Sequence, residues 1–297
     1  MARQQSEPLR LGSSPRPGEN PRTSVRRVQV LDFGSLELDR AVMSFGLSLA
    51  GVEDQHRQAE WASIPLYGVL VETDSARILF DTGMHPDPDD RWAASLLESE
   101  RLVANEDQFL AGRLAQLGLG PERIDIAVLS HLHMDHSGGV ELLSNADVIV
   151  HREELRHALE QYALIDGDTA YVKEDVAGWI GNQIRWSPLE QDEDNWEIVP
   201  GVTVINFGPG HTEGDLGLRI ELPESGPLVL ASDACYSSLN LGPPPVLPGT
   251  SALYDSRGMV RAARRLAQFH KIGAEIWFGH DAEQYKKLAK APEAHYS

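Results

Sequence analysis

The chain has 297 residues, a formal net charge of −19 and 41% apolar residues, enough for one large α/β domain or two small ones. Because this negative field would repel a polyanion, DNA and RNA are disfavoured as substrates and no nucleic-acid partner is expected. The single cysteine, Cys235, excludes a disulfide within the chain, and no apolar run is long enough to span a bilayer, so we expect a cytoplasmic protein with no membrane partner.

The N-terminal half begins with a polar segment and then alternates strands with helices. Residues 1–27 hold six arginines and many Ser, Pro and Gly residues, which predicts a disordered tail. The hydrophobic pattern then predicts strands at residues 28–33, 66–72, 76–80, 125–130 and 146–150, and helices at residues 107–117, 137–143 and 153–162. The second and third of these strands form a hairpin, which ends in a strand-to-loop break at Asp81-Thr82-Gly83.

The C-terminal half opens with a stretch that has no clear periodicity. Residues 160–195 gain acidic side chains, which predicts a cap or an insertion. The pattern that follows predicts strands at residues 202–207, 216–222, 227–231 and 275–278, and helices at residues 259–269 and 282–289. Strand-rich and mixed stretches alternate twice, so we expect a single α/β domain over residues 28–297, with two β-sheets packed face to face and helices outside.

A cluster of metal-ligand residues follows the apolar run at residues 124–129. Within six positions the chain places His131, His133, Asp135 and His136. Imidazole suits zinc and similar transition metals, and a carboxylate suits a harder second ion. Burying this cluster without a metal would cost several kcal/mol for each polar group, on the order of magnitude known for unpaired groups. The spacing therefore predicts a metal site.

Three further candidate ligands stand at the ends of later strands. They are His211 in Gly208-Pro209-Gly210-His211, Asp233 after Ala231-Ser232, and His280 after Phe278-Gly279. The seven ligands fit two ions, one on His131, His133 and His211 and the other on Asp135, His136 and His280, with Asp233 bridging both. Asp81 is interpreted as an acceptor for one metal-bound imidazole N–H, with a turn residue bonded to its own loop as the alternative.

These residues resemble the metallo-β-lactamase superfamily, whose HxHxDH motif stands here as His131 to His136. Within that superfamily, the chain is most similar to the N-acyl-homoserine lactonases, over about residues 28–288. The supporting stretches are Ile64-Pro65-Leu66-Tyr67, Leu79-Phe80-Asp81-Thr82-Gly83-Met84, Val199-Pro200-Gly201-Val202, Ser232-Asp233-Ala234-Cys235-Tyr236 and Phe278-Gly279-His280-Asp281-Ala282-Glu283-Gln284.

The resemblance implies an αββα sandwich with the metallo-β-lactamase fold, two divalent ions and the opening of a lactone ring. Carried over from the family, Tyr236 donates its phenol hydrogen to the substrate carbonyl. Two positions depart from the family pattern: Asp215 stands where a second histidine often follows His211, and Met134 stands where an aromatic is frequent. Both departures bear on which lactone is the substrate.

The expected reaction is attack of a metal-bridging hydroxide on the lactone carbonyl. Tyr236 and the first ion would stabilise the oxyanion, and Asp135 would return a proton to the leaving alkoxide. Zinc is the expected metal, although Mn²⁺, Fe²⁺ or Co²⁺ would accept the same ligands. The apolar side chains that flank the cluster in sequence could line an acyl slot; they are Trp61, Ile64, Met84 and Met134.

Other functions remain open at this stage. The substrate is expected to be an N-acyl-homoserine lactone or a similar small lactone, so that the enzyme would act in quorum quenching. The alternatives are a lactonase for a non-signal ring, such as a pyridoxine-derived lactone, and a thioester hydrolase of the glyoxalase II kind. A non-catalytic metal-binding module is disfavoured because every ligand position is intact. A homodimer is also left open.

Overall fold

The computed structural model describes residues 23–44, 50–56, 58–164, 170–249 and 252–297, and its strands form two sheets. The larger sheet has seven strands, in the spatial order β4 (Glu100–Val103), β1 (Val25–Asp39), β2 (Trp61–Thr73), β3 (Arg77–Phe80), β5 (Ile126–Val128), β6 (Asp147–His151) and β7 (Arg185–Leu189). The smaller sheet has five strands, in the order β12 (Glu275–Phe278), β11 (Gly226–Ser232), β10 (Asp215–Leu222), β9 (Val202–Gly208) and β8 (Asn195–Val199).

Helices pack against the outer faces of both sheets, and short helices lie in the connections between strands. They are α1 (Pro88–Arg91), α2 (Ala94–Ser99), α3 (Leu110–Gln116), α4 (Met134–Ser137), α5 (Arg152–Leu164), α6 (Lys173–Gly181), α7 (Ser238–Leu241), α8 (Ser256–Lys271) and α9 (Ala282–Tyr285). Within the described parts of the chain, no helix has the length and apolar character needed to cross a membrane.

Three apolar cores hold these layers together. The first lies between the two sheets, where Val69 and Val128 of the larger sheet pack with Val204 and Leu218 of the smaller one. A second core packs helices such as α3 and α6 on the outer face of the larger sheet, and a third packs α8 on the smaller sheet. The order helix, sheet, sheet, helix is the αββα sandwich that the sequence predicted.

The direction of the strands decides where functional side chains gather. β3, β5, β6 and β7 run parallel to one another, and so do β11 and β12. β3, β5 and β12 are short and mostly buried and apolar, as expected of parallel strands covered on each side. The carboxyl ends of parallel strands meet at one edge of a sheet, which is the common position of ligand sites in α/β folds.

Several boundaries differ from the sequence prediction. β1 begins at Val25 rather than at residue 28, because Val25 already pairs with Thr73 of β2 and is buried. Only residues 1–22 of the expected tail therefore lie outside the described residues. The strands β4, β7 and β8 were not predicted, since each has only four or five residues and a mixed burial pattern.

The stretch 160–195, expected as a cap or insertion, is partly built into the sandwich. Residues 165–169 lie outside the described residues. The remainder forms the end of α5, then α6 and β7, and the side chains of Val176 and Trp179 enter the core on the larger sheet. The hydrophobic periodicity of this stretch is weak because its elements are short. β7 is also placed by its pairing with β6, which the local sequence pattern does not show.

The helix expected at residues 137–143 is also replaced by shorter elements. α4 starts earlier, inside the ligand cluster, and is followed by a 3-10 turn at Val140–Leu142. Gly138 explains the break, because a Cβ at this position would lie 2.1 Å from the backbone nitrogen of His85. Its own N–H donates to the carbonyl of Gly83, so the glycine lets the two loops above β3 and β5 touch.

Candidate metal centre

Four loops bring the expected ligands to the same edge of the sandwich. The cluster from His131 to His136 follows β5, and Asp233 and His280 follow β11 and β12. His211 lies in the turn between β9 and β10. All seven side chains belong to groups whose ligand atoms lie within 4.8 Å of one another. The structure therefore gathers every ligand candidate that the sequence analysis named.

The first group, called here the imidazole group, consists of His131, His133 and His211. Nε2 of His211 lies 3.0 Å from Nδ1 of His133. The ring centroids of His131 lie 4.6 Å from that of His133 and 4.8 Å from that of His211. Three rings turned edge to face around one point leave their nitrogens aimed at a common centre, as in a three-histidine metal site.

The second group, called here the carboxylate group, consists of Asp135, His136 and His280. Oδ2 of Asp135 lies 3.2 Å from Nε2 of His136 and 3.5 Å from Nε2 of His280. The mixed oxygen and nitrogen set differs from the imidazole group in carrying a formal negative charge. Both chemistries suit zinc and its neighbours in the transition series.

Asp233 stands between the two groups and faces each with a different oxygen. Its Oδ1 lies 3.1 Å from Nε2 of His280 and 3.5 Å from Nε2 of His136. Its Oδ2 lies 3.4 Å from Nε2 of His211. One carboxylate that points one oxygen into each group has the geometry needed to bridge two ions.

Hydrogen bonds behind the rings fix which nitrogen faces inward. Nδ1 of His211 donates to the carbonyl of Ala252, and Nδ1 of His280 donates to the carbonyl of Pro65, each at 3.0 Å. Nδ1 of His136 donates to Oδ2 of Asp81 at 2.9 Å. With Nδ1 occupied, Nε2 of each ring is left to face the centre, an arrangement common around metal-bound histidines.

The contact predicted for Asp81 is confirmed by this bond. Asp81 also accepts from the N–H and the hydroxyl of Ser130, at 2.8 and 2.9 Å. Its φ of 59° lies in the left-handed region, which Asp tolerates better than most residues. The strained turn directs the carboxylate back under the cluster, so that β3 and β5 are joined beneath the site.

Unpartnered polar atoms at the centre show that the residues fit bound cations. Nε2 of His131, Nε2 of His136 and Oδ1 of Asp233 are buried and have no hydrogen-bond partner. Leaving a buried polar atom without a partner costs about 1–3 kcal/mol, and more if it is charged. Three such atoms aimed at one small space are explained when divalent ions take the place of the missing partners.

The electrostatic environment keeps much of the cluster in its ligand form. Burial and the neighbouring imidazoles hold the pKa of His131 and His133 well below the ordinary value for histidine. Burial works against the charged form of Asp135, but His136 and His280 lower its pKa below the usual range. Neutral imidazoles and an ionised carboxylate are the forms that bind metal.

Two buried acids support the imidazole group through the main chain. Asp215 accepts from the N–H of His211 at 2.8 Å, and from the N–H and hydroxyl of Thr212 at 3.2 and 2.9 Å. Glu154 on α5 accepts from the N–H of Leu132 at 2.8 Å. Burial raises the pKa of each of these two carboxyls to about 7.

Sequence analysis noted Asp215 only as a departure and missed Glu154. Asp215 is the first residue of β10, and its carboxylate holds the loop that carries His211. Its position four residues after His211 could have suggested this contact, because Asp side chains often accept from nearby backbone N–H groups. Glu154 lies on a helix with an ordinary polar pattern, and no sequence signal distinguishes it from the neighbouring Glu153. Only the folded chain shows that its carboxyl reaches the backbone between His131 and His133.

Tyr236 lies at the cavity beside both ligand groups. Its hydroxyl oxygen lies 3.3 Å from Nδ1 of His211, and its ring packs edge to face against His211 and His280. Burial and the charge of Asp233 raise the pKa of the phenol well above its ordinary value. The hydroxyl therefore keeps its proton at neutral pH and is available as a donor.

The cavity above the cluster is mainly apolar. Of the four flanking residues expected to line it, Ile64 and Met134 do so, while Met84 is buried in the core and Trp61 is 54% exposed at the start of β2. The other wall residues besides the cluster and Tyr236 are Leu36, Leu38, Val42, Met43, Glu100, Ala170 and Ala252. Most come from β1 and its following turn, which sequence analysis had not connected with the site because the contact is long-range.

Comparisons with known proteins agree with this geometry. A sequence model of the metallo-beta-lactamase superfamily matches residues 67–269. The N-acyl homoserine lactonase AiiB of Agrobacterium fabrum is 33% identical over 271 residues, which cover 90% of this chain and 98% of the relative. The N-acyl homoserine lactonase AiiA of Bacillus thuringiensis subsp. kurstaki is 30% identical over 275 residues, which cover 91% of this chain and 99% of the relative.

A solved structure gives the same result for the fold. An N-acyl homoserine lactone hydrolase with the product N-hexanoyl-L-homoserine bound at its catalytic metal centre superposes with a TM-score of 0.74. The two chains are 25% identical, and the match covers 91% of this chain and 98% of the other. The similarity thus extends over nearly the whole of each known protein.

Proposed function

The chain belongs to the metallo-beta-lactamase superfamily, and from that membership we propose that it is a metal-dependent hydrolase that opens the ring of N-acyl homoserine lactones. The relatives named as N-acyl homoserine lactonases match over almost their full length. An enzyme of this activity destroys a bacterial signal, which is a quorum-quenching role.

One observation carries the proposal: Asp233 points one carboxylate oxygen into each of two ligand groups, with the Tyr236 hydroxyl beside them. We assign His131, His133 and His211 to one divalent ion and Asp135, His136 and His280 to the other. The nitrogen and oxygen donors favour zinc. When bound, a pair of divalent ions supplies a water that is nucleophilic at neutral pH and polarises the carbonyl that it attacks.

The protein's own groups orient the lactone and move the proton. The Tyr236 phenol donates to the carbonyl oxygen, where negative charge develops during attack. Asp135 lines the same cavity, where its carboxylate takes the proton that the attacking water releases and passes it to the ring oxygen, which leaves as an alcohol when its bond to the carbonyl carbon breaks. The apolar wall that includes Leu36, Leu38 and Met43 excludes water and takes the acyl chain.

The function is tested by assaying the purified, zinc-loaded protein in a weakly buffered pH-indicator solution that detects acid release. The panel contains N-hexanoyl homoserine lactone, an unsubstituted γ-lactone, a pyridoxine-derived lactone and a glutathione thioester. Opening of the homoserine lactone at the highest kcat/KM supports the proposal. Preference for the thioester would replace it with a glyoxalase II-like function, and preference for the pyridoxine-derived ring would replace the substrate but keep the chemistry.

Metal content is measured on the same sample by elemental analysis. We expect two divalent ions for each chain, and we expect a chelator to abolish turnover until zinc is returned. Full activity in metal-free protein would contradict the assignment of the ligands. The exposed variant Asp74→Asn, which lies in an ion pair far from the cluster, serves as the control for both measurements.

Location and assembly are further proposals. We propose a cytoplasmic enzyme, which is supported by a single cysteine that is buried and unpaired. We also propose a homodimer, supported by Trp61 and Val103, which are 54% and 46% exposed near the β4 edge of the larger sheet. Cell fractionation tests the first. Light scattering tests the second, since a dimer has twice the 32.7 kDa mass of one chain.

A further inference from the structure

The cavity wall contains one charged side chain that the reaction described above does not use. Glu100, the first residue of β4, lines the cavity together with Asp135 and His280. The other described wall residues outside the ligand cluster and Tyr236 are apolar: Leu36, Leu38, Val42, Met43, Ile64, Met134, Ala170 and Ala252. A carboxyl in such a wall is unusual enough to require an explanation.

The position of Glu100 follows from the pairing of its strand. Glu100 pairs with Leu38 of β1, and alternate residues of β4 point to opposite faces. Glu100 and Leu102 are partly buried on the face of the larger sheet that carries the second core, against which Leu102 packs, while Arg101 and Val103 are exposed on the opposite face. The register of the sheet therefore directs the Glu100 side chain to the side of β4 where the cavity lies.

The main chain of Glu100 is hydrogen-bonded, its N–H donating to the carbonyl of Leu96, but its carboxyl has no partner among the described residues. The neighbouring Arg101, by contrast, forms an ion pair with Glu37. Burial has a cost for such a carboxyl that a hydrogen-bond donor would offset. Glu100 also belongs to none of the groups that can hold a metal ion. A substrate that fills the cavity and displaces water from this partly buried carboxyl must therefore supply a donor in place of that water.

The proposed substrate has one suitable donor. In an N-acyl homoserine lactone, the amide nitrogen is bonded to the ring carbon next to the reacting carbonyl. When that carbonyl lies at the cluster, the amide N–H must lie in the adjoining part of the cavity, while the acyl chain extends along the apolar wall. Glu100 is the described wall side chain outside the cluster that offers a carboxyl oxygen there.

We propose that Glu100 accepts a hydrogen bond from the amide N–H of the substrate and thereby selects acylamino lactones over lactones without this donor. The inference rests on the proposed lactonase function and adds a specificity-determining residue to it. A carboxyl keeps an acceptor oxygen whether it is ionised or protonated, so the contact does not depend on its charge. Glu100 takes no part in moving the proton or in holding an ion.

The test compares two matched substrates. One is N-hexanoyl homoserine lactone, and the other is its carba analogue, in which a methylene replaces the amide N–H. Wild-type enzyme is expected to favour the amide in kcat/KM by about 10–100-fold, the range for one hydrogen bond to a carboxylate. Glu100→Gln keeps a carbonyl acceptor and should retain most of this preference.

Glu100→Leu is the decisive variant. We expect its kcat/KM for the amide substrate to fall by about 10–100-fold, while its kcat/KM for the carba analogue stays within about 3-fold of wild type. Two ions should remain bound. Arg101→Leu, on the opposite face of the same strand, is the matched control, and its kcat/KM should equal that of wild type for both substrates.

The outcomes separate this inference from the function on which it rests. An equal fall in kcat/KM for both substrates in Glu100→Leu would show that Glu100 acts on the metal centre. No fall for either substrate would show that Glu100 makes no contact with the amide. Either result overturns the specificity role while leaving the lactonase intact. A wild-type enzyme that opens neither ring would overturn the proposed function and this inference together.

Discussion

The two ligand groups of the metal centre are built from different chemistry. The imidazole group contains only histidines, and burial together with neighbouring rings lowers the pKa of His131 and His133, so that it has little charge of its own. The carboxylate group contains Asp135 and is backed directly by Asp81 through His136. A cation on the imidazole group would therefore depend on Asp233 for negative charge, whereas a cation on the carboxylate group would also have the charge of Asp135.

The two groups also differ in how they are held. In the carboxylate group, Asp81 accepts a hydrogen bond from a ring nitrogen of His136. The imidazole group is held at the main chain, where Asp215 accepts from the N–H of His211 and Glu154 from the N–H of Leu132. An acid at the ring places negative charge directly behind a ligand, while an acid at the backbone fixes the loop, and the His211 ring itself is oriented by the uncharged carbonyl of Ala252. Five substitutions test the two groups and their support.

The largest effect is expected for Asp233→Asn. The amide keeps the size of the side chain but removes the charge on which the imidazole group depends, so one of the two ions should be lost, from that group. A metal ion stabilises the transition state by several kcal/mol, so the loss of one ion should lower kcat/KM by about 10³-fold or more. Elemental analysis and lactone kinetics measure both. A variant that retains two ions and full turnover would show that the bridge is unnecessary.

Tyr236→Phe should follow, with a fall in kcat of about 10²–10³-fold, the cost of one lost donor to a developing oxyanion. The phenyl ring retains the packing against His211 and His280, so both ions should stay bound. Kinetics with parallel metal analysis separate the two effects. Tyr254→Phe, at a 59% exposed position, is the control. A simultaneous loss of metal would mean that the hydroxyl supports the ligands and not the substrate.

Glu154, which supports the imidazole group through the backbone, should make the free energy of unfolding depend on pH. Burial raises its pKa from 4.5 to about 7, so the folded protein binds a proton more tightly than the unfolded chain does. The stability from this group is complete below about pH 4.5 and is lost as the pH rises through about 7. In Glu154→Gln this dependence disappears, because the amide does not ionise.

Urea unfolding of the metal-free protein measures this effect. The stability of Glu154→Gln relative to wild type should rise by about 3 kcal/mol between about pH 4.5 and pH 8, the free energy that corresponds to the shift. The difference between the two proteins removes the contributions of all other groups. Two curves that remain parallel over this range would show that Glu154 is not a strained acid in the folded chain.

The ligands could be predicted from the sequence, while much of their support could not. His131, His133 and Asp233 follow short apolar strands, so local pattern and residue type are sufficient to nominate them. Glu100 and Glu154 act through contacts with residues distant in the chain, and nothing in their local sequence sets them apart. The same limit applies to β4, a strand of only four residues that exists because it pairs with β1.

The overall layers followed from periodicity, but their edges did not. Central strands such as β9 and β10 are largely buried and apolar, so their expected positions agree with the structure within a residue or two. β7 and β8 are partly exposed edge strands, where the pattern of burial is mixed and the pairing partner decides the conformation. Tertiary pairing, which local propensity does not encode, accounts for these misses.

The smallest effects distinguish the two modes of support. Asp81→Asn replaces the acceptor of the His136 ring, so it should weaken the ion of the carboxylate group by about 10–100-fold and leave the other ion nearly unchanged. Asp215→Asn keeps one oxygen for the His211 loop and should weaken only the ion of the imidazole group, by a smaller factor because its contact is with the backbone. Competition with a chromophoric chelator measures the two affinities separately. If both variants weakened both ions equally, the centre would behave as one cooperative unit, and the division into a ring-held and a backbone-held half would have no energetic meaning.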